Sequence, residues 1–230
     1  MLVEEIDGIV QDRGVYTPAV IAGHINRAQS AIAGGIKMPD GSISPPLPGL
    51  ADYNTVATTA QAYALLPSRY QRNVFKVLDN SGVMIPPPRG GDYYAYILFL
   101  KQISDLRFTE PGSIYKVAVK GARLYYQGIP AASENLGVHF YRKPADMVLD
   151  SDTPDGIPEH LQSRLIRHYV LKEIFGEAIE DGQDNTGIAT KYHTEKFYEA
   201  MTELAGFTGI DAGPQYYGSG GFEDWGACDG

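Results

Sequence analysis

The chain has 230 residues, with 19 Lys and Arg against 28 Asp and Glu and a formal charge of −9. That length suits one large domain, or one domain with a sizeable insertion. The acidic balance argues against binding of the nucleic-acid backbone as the main function, because neutralising phosphates requires Lys and Arg. The single cysteine, Cys228, excludes an internal disulfide and fits a reducing compartment.

The sequence predicts neither a secretory signal nor a membrane-spanning segment. Glu4, Glu5 and Asp7 fall where a secretory signal would need its apolar segment. The longest apolar run, from Tyr93 to Leu100, is too short to span a bilayer. We therefore expect a soluble, non-secreted protein.

Two helices are predicted at the start of the chain. The first covers 2–10, with Leu2, Ile6 and either Ile9 or Val10 at helical spacing. The second covers 17–35, because Thr17 and Pro18 are favoured at a helix start and glycines close its far end. Its apolar face comprises Ile21, Ile25, Ala28 and Ile32, and we expect Asn26, Arg27 and Gln29 to lie elsewhere on the helix.

Strands are predicted in the middle of the chain. A loop rich in Pro and Gly covers 37–50, and β-branched and aromatic residues follow it. Residues 92–103 fit a helix and a strand equally well. We expect about six strands, folded as a small barrel or sandwich. The candidate strands are 53–59, 63–65, 70–79, 83–85, 114–119, 123–127 and 136–142.

Helix periodicity returns in the last third. An acidic turn at 150–158 leads into a helix that starts near Pro158 and ends at Asp181-Gly182. A last helix covers about 190–205 and is predicted to end at Gly206. The apolar positions are Leu161, Leu165, Ile166, Tyr169 and Val170 in the first helix, and His193, Phe197, Ala200 or Met201, and Leu204 in the second.

The C-terminal segment is rich in Gly, acidic residues and aromatic residues, and no basic residue follows Lys196. Such a segment cannot build its own core, yet its aromatic side chains favour burial. We therefore expect an extended tail that becomes ordered on a partner. The candidate docking residues are Tyr216, Tyr217, Phe222 and Trp225.

These elements predict an α+β fold in which distant helical segments bracket a β stretch. We expect a helical bundle formed by 1–36 and 150–206, an inserted β-barrel or sandwich module at 37–149, and an extended tail at 207–230.

No arrangement of residues predicts catalysis, a cofactor or a metal ion. His160 and His168 are eight residues apart, whereas a helical zinc pair requires a spacing of four. Glu159 and the Glu180-Asp181 pair resemble acid/base partners of a glycoside hydrolase, but helix-end electrostatics and solvation explain them better. The sequence contains neither a G-x-x-x-x-G-K-[ST] loop nor a G-x-G-x-x-G loop, so no motif indicates nucleotide binding. His24 is interpreted as a partly exposed histidine on a closely packed helix.

A basic patch of Arg164, Arg167 and Lys172 lies on the helix that starts near Pro158. It could face DNA or an acidic partner surface, or form an ordinary solvated face with Arg164 and His168 at i, i+4 spacing. The 16 Tyr and 8 Phe residues also favour an interface, although many of them will fill strand faces.

The order of these blocks resembles the head-to-tail adaptor (connector) proteins of tailed bacteriophages, of the tail tubular protein A type. The resemblance covers about 2–206, and each of its motifs is degenerate. The central β stretch is larger than that of minimal helical adaptors. The matching segments are Ile25–Ala33, Leu47–Leu50, Tyr63–Pro67, Gly137–Pro144 and Pro154–Leu161.

This resemblance implies a structural virion protein of the neck or tail, with a ring of about twelve copies that joins the portal to the tail and lines the DNA exit channel. It implies contacts with the portal and with nozzle or tail fibre proteins, and passage of DNA without sequence-specific binding. The alternatives are a carbohydrate- or receptor-binding module, with tyrosines of 53–142 stacking on sugar, and a tail-associated cell-wall hydrolase.

Overall fold

The computed structural model describes residues 2–10, 16–79, 99–100, 103–148, 152–180 and 187–211. Within these residues the protein is α+β, with four α-helices and seven strands. Residue contacts divide the chain into two compact units. We call residues 1–50 with 143–213 the helical unit, and residues 51–142 the strand unit.

The helical unit contains α1 (Leu2–Val10), α2 (Pro18–Gly34), α3 (Glu159–Glu180) and α4 (Ile188–Asp211), with a 3-10 turn at Pro48–Leu50. All four helices contribute to one buried apolar cluster. Val10 rather than Ile9 completes the apolar face of α1, since Val10 is buried and Ile9 is exposed. Packing of the apolar faces, rather than helix propensity, therefore stabilises these helices.

Helix α2 begins and ends where the sequence predicts. Thr17 is extended and its carbonyl accepts from the Ile21 amide at 3.0 Å, but its side chain caps no amide. Gly35 adopts a φ of 102°, and its N–H donates to the carbonyls of Ala31 and Ile32. The predicted face is confirmed, with Ile21, Ile25, Ala28 and Ile32 all buried.

Two polar residues of α2 differ from their predicted positions. His24 was expected to be partly exposed but is buried, at 4% exposure, with its ring 6.1 Å from that of Tyr16. Gln29 was expected off the apolar face but is 1% exposed. The buried surface of α2 is therefore wider than its apolar stripe.

The prediction that the last helix ends at Gly206 is wrong, because α4 continues to Asp211. Thr208 in this extra turn is buried, and its hydroxyl donates to the Leu204 carbonyl at 2.9 Å. A glycine inside a helix costs only about 1 kcal/mol relative to alanine. Burial of Thr208 and Leu204 favours the extra turn and opposes that cost.

The strand unit contains β1 (Ala51–Ala57), β2 (Tyr63–Leu65), β3 (Tyr70–Leu78), β4 (Phe99–Leu100), β5 (Lys116–Lys120), β6 (Arg123–Gln127) and β7 (Asn135–Arg142). One sheet has the order β1-β7-β3 and is antiparallel; the other has the order β2-β6-β5-β4, with β4 parallel to β5. The described strands do not close a barrel, so that form of the prediction is wrong. Side chains from both sheets fill one apolar cluster.

The remaining strand predictions divide into two groups. The strands predicted near 53–59, 70–79, 114–119 and 136–142 are present with shifts of a few residues, and those at 63–65 and 123–127 have the predicted bounds. The strand predicted at 83–85 lies outside the described residues. Of the ambiguous 92–103 stretch, 99–100 form β4 and a 3-10 turn begins at Ile103.

Tyr126 shows how the strand unit satisfies a polar group in its core. Its side chain is fully buried, and its hydroxyl lies 2.6 Å from the Gln61 carbonyl and 2.9 Å from both the carbonyl and the amide of Thr59. A buried tyrosine hydroxyl needs such partners. The contacts also hold the turn that connects β1 to β2.

Candidate interaction surfaces

Two side-chain amides of α2 bind residues 143–148 and 152–155, which we call the re-entry segment because the chain returns there to the helical unit. The Asn26 amide donates to the Met147 carbonyl at 3.0 Å and accepts from the Met147 amide at 2.8 Å. Gln29 donates to the Ala145 carbonyl at 2.5 Å and accepts from the Asp155 amide at 3.0 Å. We call Asn26 and Gln29 the amide clamp. Spaced three residues apart, they lie on one helix face.

The acidic residues of this re-entry segment have structural partners as well. Asp155 accepts from the Ala145 amide at 3.0 Å, and Asp152 accepts from the Val148 amide at 2.8 Å. Carboxylates that bind nearby amides are typical of turns. Two of the acidic residues in the predicted 150–158 turn, Asp152 and Asp155, therefore stabilise the local backbone.

The basic patch of Arg164, Arg167 and Lys172 makes ion pairs within the helical unit. Arg164 contacts Glu203 of α4 at 2.9 Å, and both side chains are nearly half exposed. Arg167 pairs with Glu5 of α1. Exposed pairs of this kind each contribute about 0–1 kcal/mol, so a partner could replace them at small cost.

Lys172 is the most enclosed of the three cations. Its Nζ lies 2.6 Å from a Glu173 oxygen and 4.2 Å from the centre of the Tyr169 ring. Its side chain is only 20% exposed. A cation held over an aromatic face in this way contributes mainly to packing of α3.

His168 and His193 form a contact between α3 and α4 that the sequence did not indicate. Their Nδ1 atoms are 2.9 Å apart, so one ring donates and the other accepts. Phe175 stacks on His193, with ring centres 5.5 Å apart and planes 10° apart. His168 is 5% exposed, which contradicts the interpretation that Arg164 and His168 share a solvated face.

The surroundings of this histidine pair favour neutral rings. Burial, then the nearby charges of Arg167, His193, Arg164 and Lys196, lower the pKa of His168 to about 4. Burial and Arg167 also lower the pKa of His193. The pKa of the nearby Glu199 carboxyl is lowered mainly by its hydrogen bond to Lys196 and in smaller part by His168. Two protonated rings at this distance would repel each other.

Acidification is expected to destabilise the helical unit through this pair. The pKa values of the two rings in the folded protein lie below the ordinary value of 6.5. The contribution of this pair to stability is therefore fully present above pH 6.5 and is lost as the pH falls toward about 4. Replacing His168 with Asn, whose amide approximates Nδ1 but cannot be protonated, should remove roughly 1–3 kcal/mol of this loss. Chemical unfolding at about pH 7 and pH 5 measures the difference.

The control for that experiment is His160→Asn on the same helix. His160 is exposed and packs edge-on against Phe207, with ring centres 5.5 Å apart. This variant should keep the pH dependence of the wild-type protein. Equal pH dependence in the His168→Asn variant and the wild type would contradict the role of the His168–His193 pair in acid destabilisation.

The outward face of the three-stranded sheet carries clustered aromatic side chains. His139 of β7 lies between Tyr53 of β1 and Phe75 of β3, at ring-centre distances of 4.8 and 5.9 Å. Phe75 also lies 5.0 Å from Tyr141. We call these four residues the aromatic row. Tyr53 is 46% exposed, so the row is open to solvent at β1.

Metal-holding groups and membrane-spanning helices can both be sought in the described part of the chain. No three His, Cys, Asp or Glu residues there are placed to hold a metal ion. No described helix is long and apolar enough to cross a membrane. The predicted docking residues Tyr216, Tyr217, Phe222 and Trp225 lie outside the described residues.

Comparison with known proteins identifies the class to which this α+β chain belongs. Residues 2–219 match the family model described as SU10 adaptor protein. The chain belongs to the SU10 adaptor protein family, which indicates a structural adaptor role in a bacteriophage virion. Among the curated proteins, none matches the chain.

Proposed function

We propose that this protein is a ring-forming head-to-tail adaptor, which joins the portal to the tail and lines the DNA exit channel. The observation that carries the proposal is the match of residues 2–219 to the adaptor family. The formal charge of −9 is compatible with DNA passing through the lumen without sequence-specific binding. The protein would then be a non-enzymatic component of the virion neck or tail.

In this proposal the helical unit closes the ring. Repeated head-to-tail contacts between identical subunits form a ring when the rotation closes, and we expect about twelve copies. Arg164, Arg167 and Lys172 are the proposed ring or partner contacts. Arg164 and Glu203 suit this role best, because an exposed pair can exchange its partner for a neighbouring subunit.

The finer arrangement follows the tail tubular protein A type. A helical bundle built from the two ends of the chain would carry an inserted β module, and that module would meet nozzle or tail fibre proteins. The one buried apolar cluster shared by α1, α2, α3 and α4 supports such a bundle. The common core of the two sheets supports a separate module.

Removal of the C-terminal tail tests portal attachment. Because α4 continues to Asp211, the deletion should cover 212–230 rather than begin at 207. Portal affinity should fall by about a hundredfold or more, since aromatic anchors supply most of the affinity when an extended segment docks. Sedimentation or surface-based binding to purified portal measures this, and circular dichroism should show unchanged helix content.

A matched pair of substitutions separates the aromatic anchors from nearby aromatic residues. Replacing Tyr216, Tyr217, Phe222 and Trp225 with Ala should reproduce the deletion. Phe207→Ala removes a 47% exposed aromatic side chain from α4 and should leave portal binding within about twofold of wild type. Undiminished portal binding by the shortened chain would refute tail docking.

The exposed aromatic side chains of the strand unit favour a second candidate, a carbohydrate- or receptor-binding module. Tyr53 is 46% exposed and Phe108 is 40% exposed, and exposed aromatic rings are suited to stacking on sugars. Size-exclusion chromatography discriminates between the two functions. An adaptor should elute together with portal, whereas a sugar-binding module should elute alone.

A further inference from the structure

We propose that the outward face of the three-stranded sheet is a docking surface for a protein segment that carries both carboxylates and aromatic side chains. The inference deepens the proposed adaptor function, because it names the chemistry of a partner of the strand unit. It concerns the face of β1, β7 and β3 alone, and it requires neither the ring nor the C-terminal tail.

The residues that point outward can be read from the strand register. On β7, Leu136, Val138 and Phe140 belong to the buried cluster, so the alternate residues Gly137, His139 and Tyr141 face outward. Their cross-strand partners share that face. Those partners are Ala51, Tyr53 and Thr55 on β1, and Arg72, Lys76 and Leu78 on β3. The register shifts between Val74 and Lys76, and the ring contacts of Phe75 with His139 and Tyr141 place it on the same face.

The aromatic row is held in place by the sheet beneath it. A Cβ added to Gly137 would lie 2.9 Å from Cε2 of Tyr53, so the tyrosine ring lies across the glycine. A ring over a strand glycine covers backbone that would otherwise be exposed. Tyr53 is therefore positioned before any partner arrives, which lowers the entropic cost of binding.

The charged groups on this face are basic, although the chain as a whole carries −9. Arg72 lies opposite Tyr141, and Lys76 lies opposite His139. Burial lowers the pKa of the Arg72 guanidinium, and burial followed by the charge of Lys76 lowers the pKa of His139. No Asp or Glu stands at the outward positions of the three strands. Carboxylates of a partner would complement the charge of Lys76.

Side chains already contact the backbone groups of β1 at the outer edge of the sheet. A partner is therefore more readily accommodated on the face than at this edge. The Tyr53 amide donates to its neighbour Asp52 and the Thr55 amide donates to Asn54, both at 2.8 Å. Arg69 donates to the Tyr53 carbonyl at 3.3 Å and pairs with Asp52 at 2.9 Å. Occupied donors and acceptors of this kind disfavour the addition of another strand at this edge.

The composition of the face argues for protein rather than nucleic acid as its partner. A phosphate backbone is held by many cations, and salt-dependent affinity increases with each phosphate neutralised. This face offers Lys76 within a strongly acidic chain, whereas the neighbouring Arg72 is largely withdrawn from solvent and interacts with Tyr141 and Tyr70. The four rings of the aromatic row resemble the aromatic centre of a protein interface, with charges at its margin.

Binding of a random copolymer of glutamate and tyrosine to the full chain tests this inference. Wild-type protein should bind the labelled copolymer in fluorescence anisotropy. Lys76→Glu should weaken binding about tenfold, because it places like charges opposite each other. Phe75→Thr should weaken it about threefold or more through loss of aromatic contact, with the strand preserved by a β-branched residue.

The matched control is Lys120→Glu, which makes the same charge change at an exposed residue of β5 in the other sheet. It should bind the copolymer as wild type does. Equal loss in the two Lys→Glu variants, or equal binding of polyglutamate without tyrosine, would overturn the inference. Failure of wild-type protein to bind at about 1 mM copolymer, or tighter binding of a thymidine oligonucleotide at the same face, would also overturn it. None of these failures affects portal attachment, so the two proposals are tested separately.

Discussion

Replacing Gly128 with Ala is expected to destabilise the strand unit by about 2–5 kcal/mol. Gly128 follows β6 with a φ of 82°, and a Cβ there would lie 2.0 Å from the Ser113 carbonyl oxygen. The left-handed conformation costs a residue with a side chain about 1–2 kcal/mol, and the overlap adds about 1–3 kcal/mol. The two backbone segments that meet at Gly128 are also hydrogen-bonded beside it, since the Tyr115 amide donates to the Gln127 carbonyl at 3.1 Å.

Gly121→Ala supplies the matched control for that substitution. Gly121 has a φ of 59°, but apart from Gly121 itself and its two chain neighbours, no atom of the described residues lies within 4 Å of its added Cβ. Only the strain of about 1–2 kcal/mol should be observed. Hydrogen exchange of peptides covering 116–142 reports on the strand unit separately, which matters because a chain with two units does not unfold in one step. Equal effects of the two substitutions would contradict the close approach at Gly128.

Replacing Gln29 with Leu, which preserves side-chain volume, should destabilise the helical unit. The change removes both bonds of Gln29 and leaves the Ala145 carbonyl and the Asp155 amide without that partner. A buried polar group that loses its partner costs about 1–3 kcal/mol. Because Ala145 is exposed and Asp155 is half-buried, water can replace part of the loss, so we expect about 1–2 kcal/mol. Amide exchange in 143–157 should accelerate before exchange in the middle of α3 does.

The control is Arg27→Leu, an equally apolar replacement at an exposed position of the same helix. Its unfolding free energy should lie within about 0.5 kcal/mol of wild type. If the Gln29→Leu variant were as stable as the Arg27→Leu variant, the amide clamp would not stabilise the re-entry segment.

Local signals in the sequence predicted the features of the fold that are locally determined. Thr17, Pro18 and Gly35 indicated both ends of α2, because end preferences depend on residues within one turn. Strand β6 has the predicted bounds for a similar reason. The sheet order was not predictable in this way, since pairing of β1 and β3 with β7 joins residues distant along the chain.

The features missed by sequence reasoning depend on contacts between distant elements. Gln29 is polar, and its burial includes contacts with Ala145 and Asp155, which are distant from α2 along the chain. The contact of His168 with His193 depends on the relative positions of α3 and α4. A search for histidines within one helix could not detect it. The candidate anchors of the tail were chosen by composition, which describes chemistry without indicating a position.

The central claim is that identical subunits form a ring that engages the portal. Native mass spectrometry of the full chain, alone and mixed with purified portal, tests it most directly. A ring complex containing about twelve copies of the 25.1 kDa chain per portal is the result we expect. A protein that keeps the mass of one chain when mixed with portal, with no portal-bound species at any concentration, would contradict the claim.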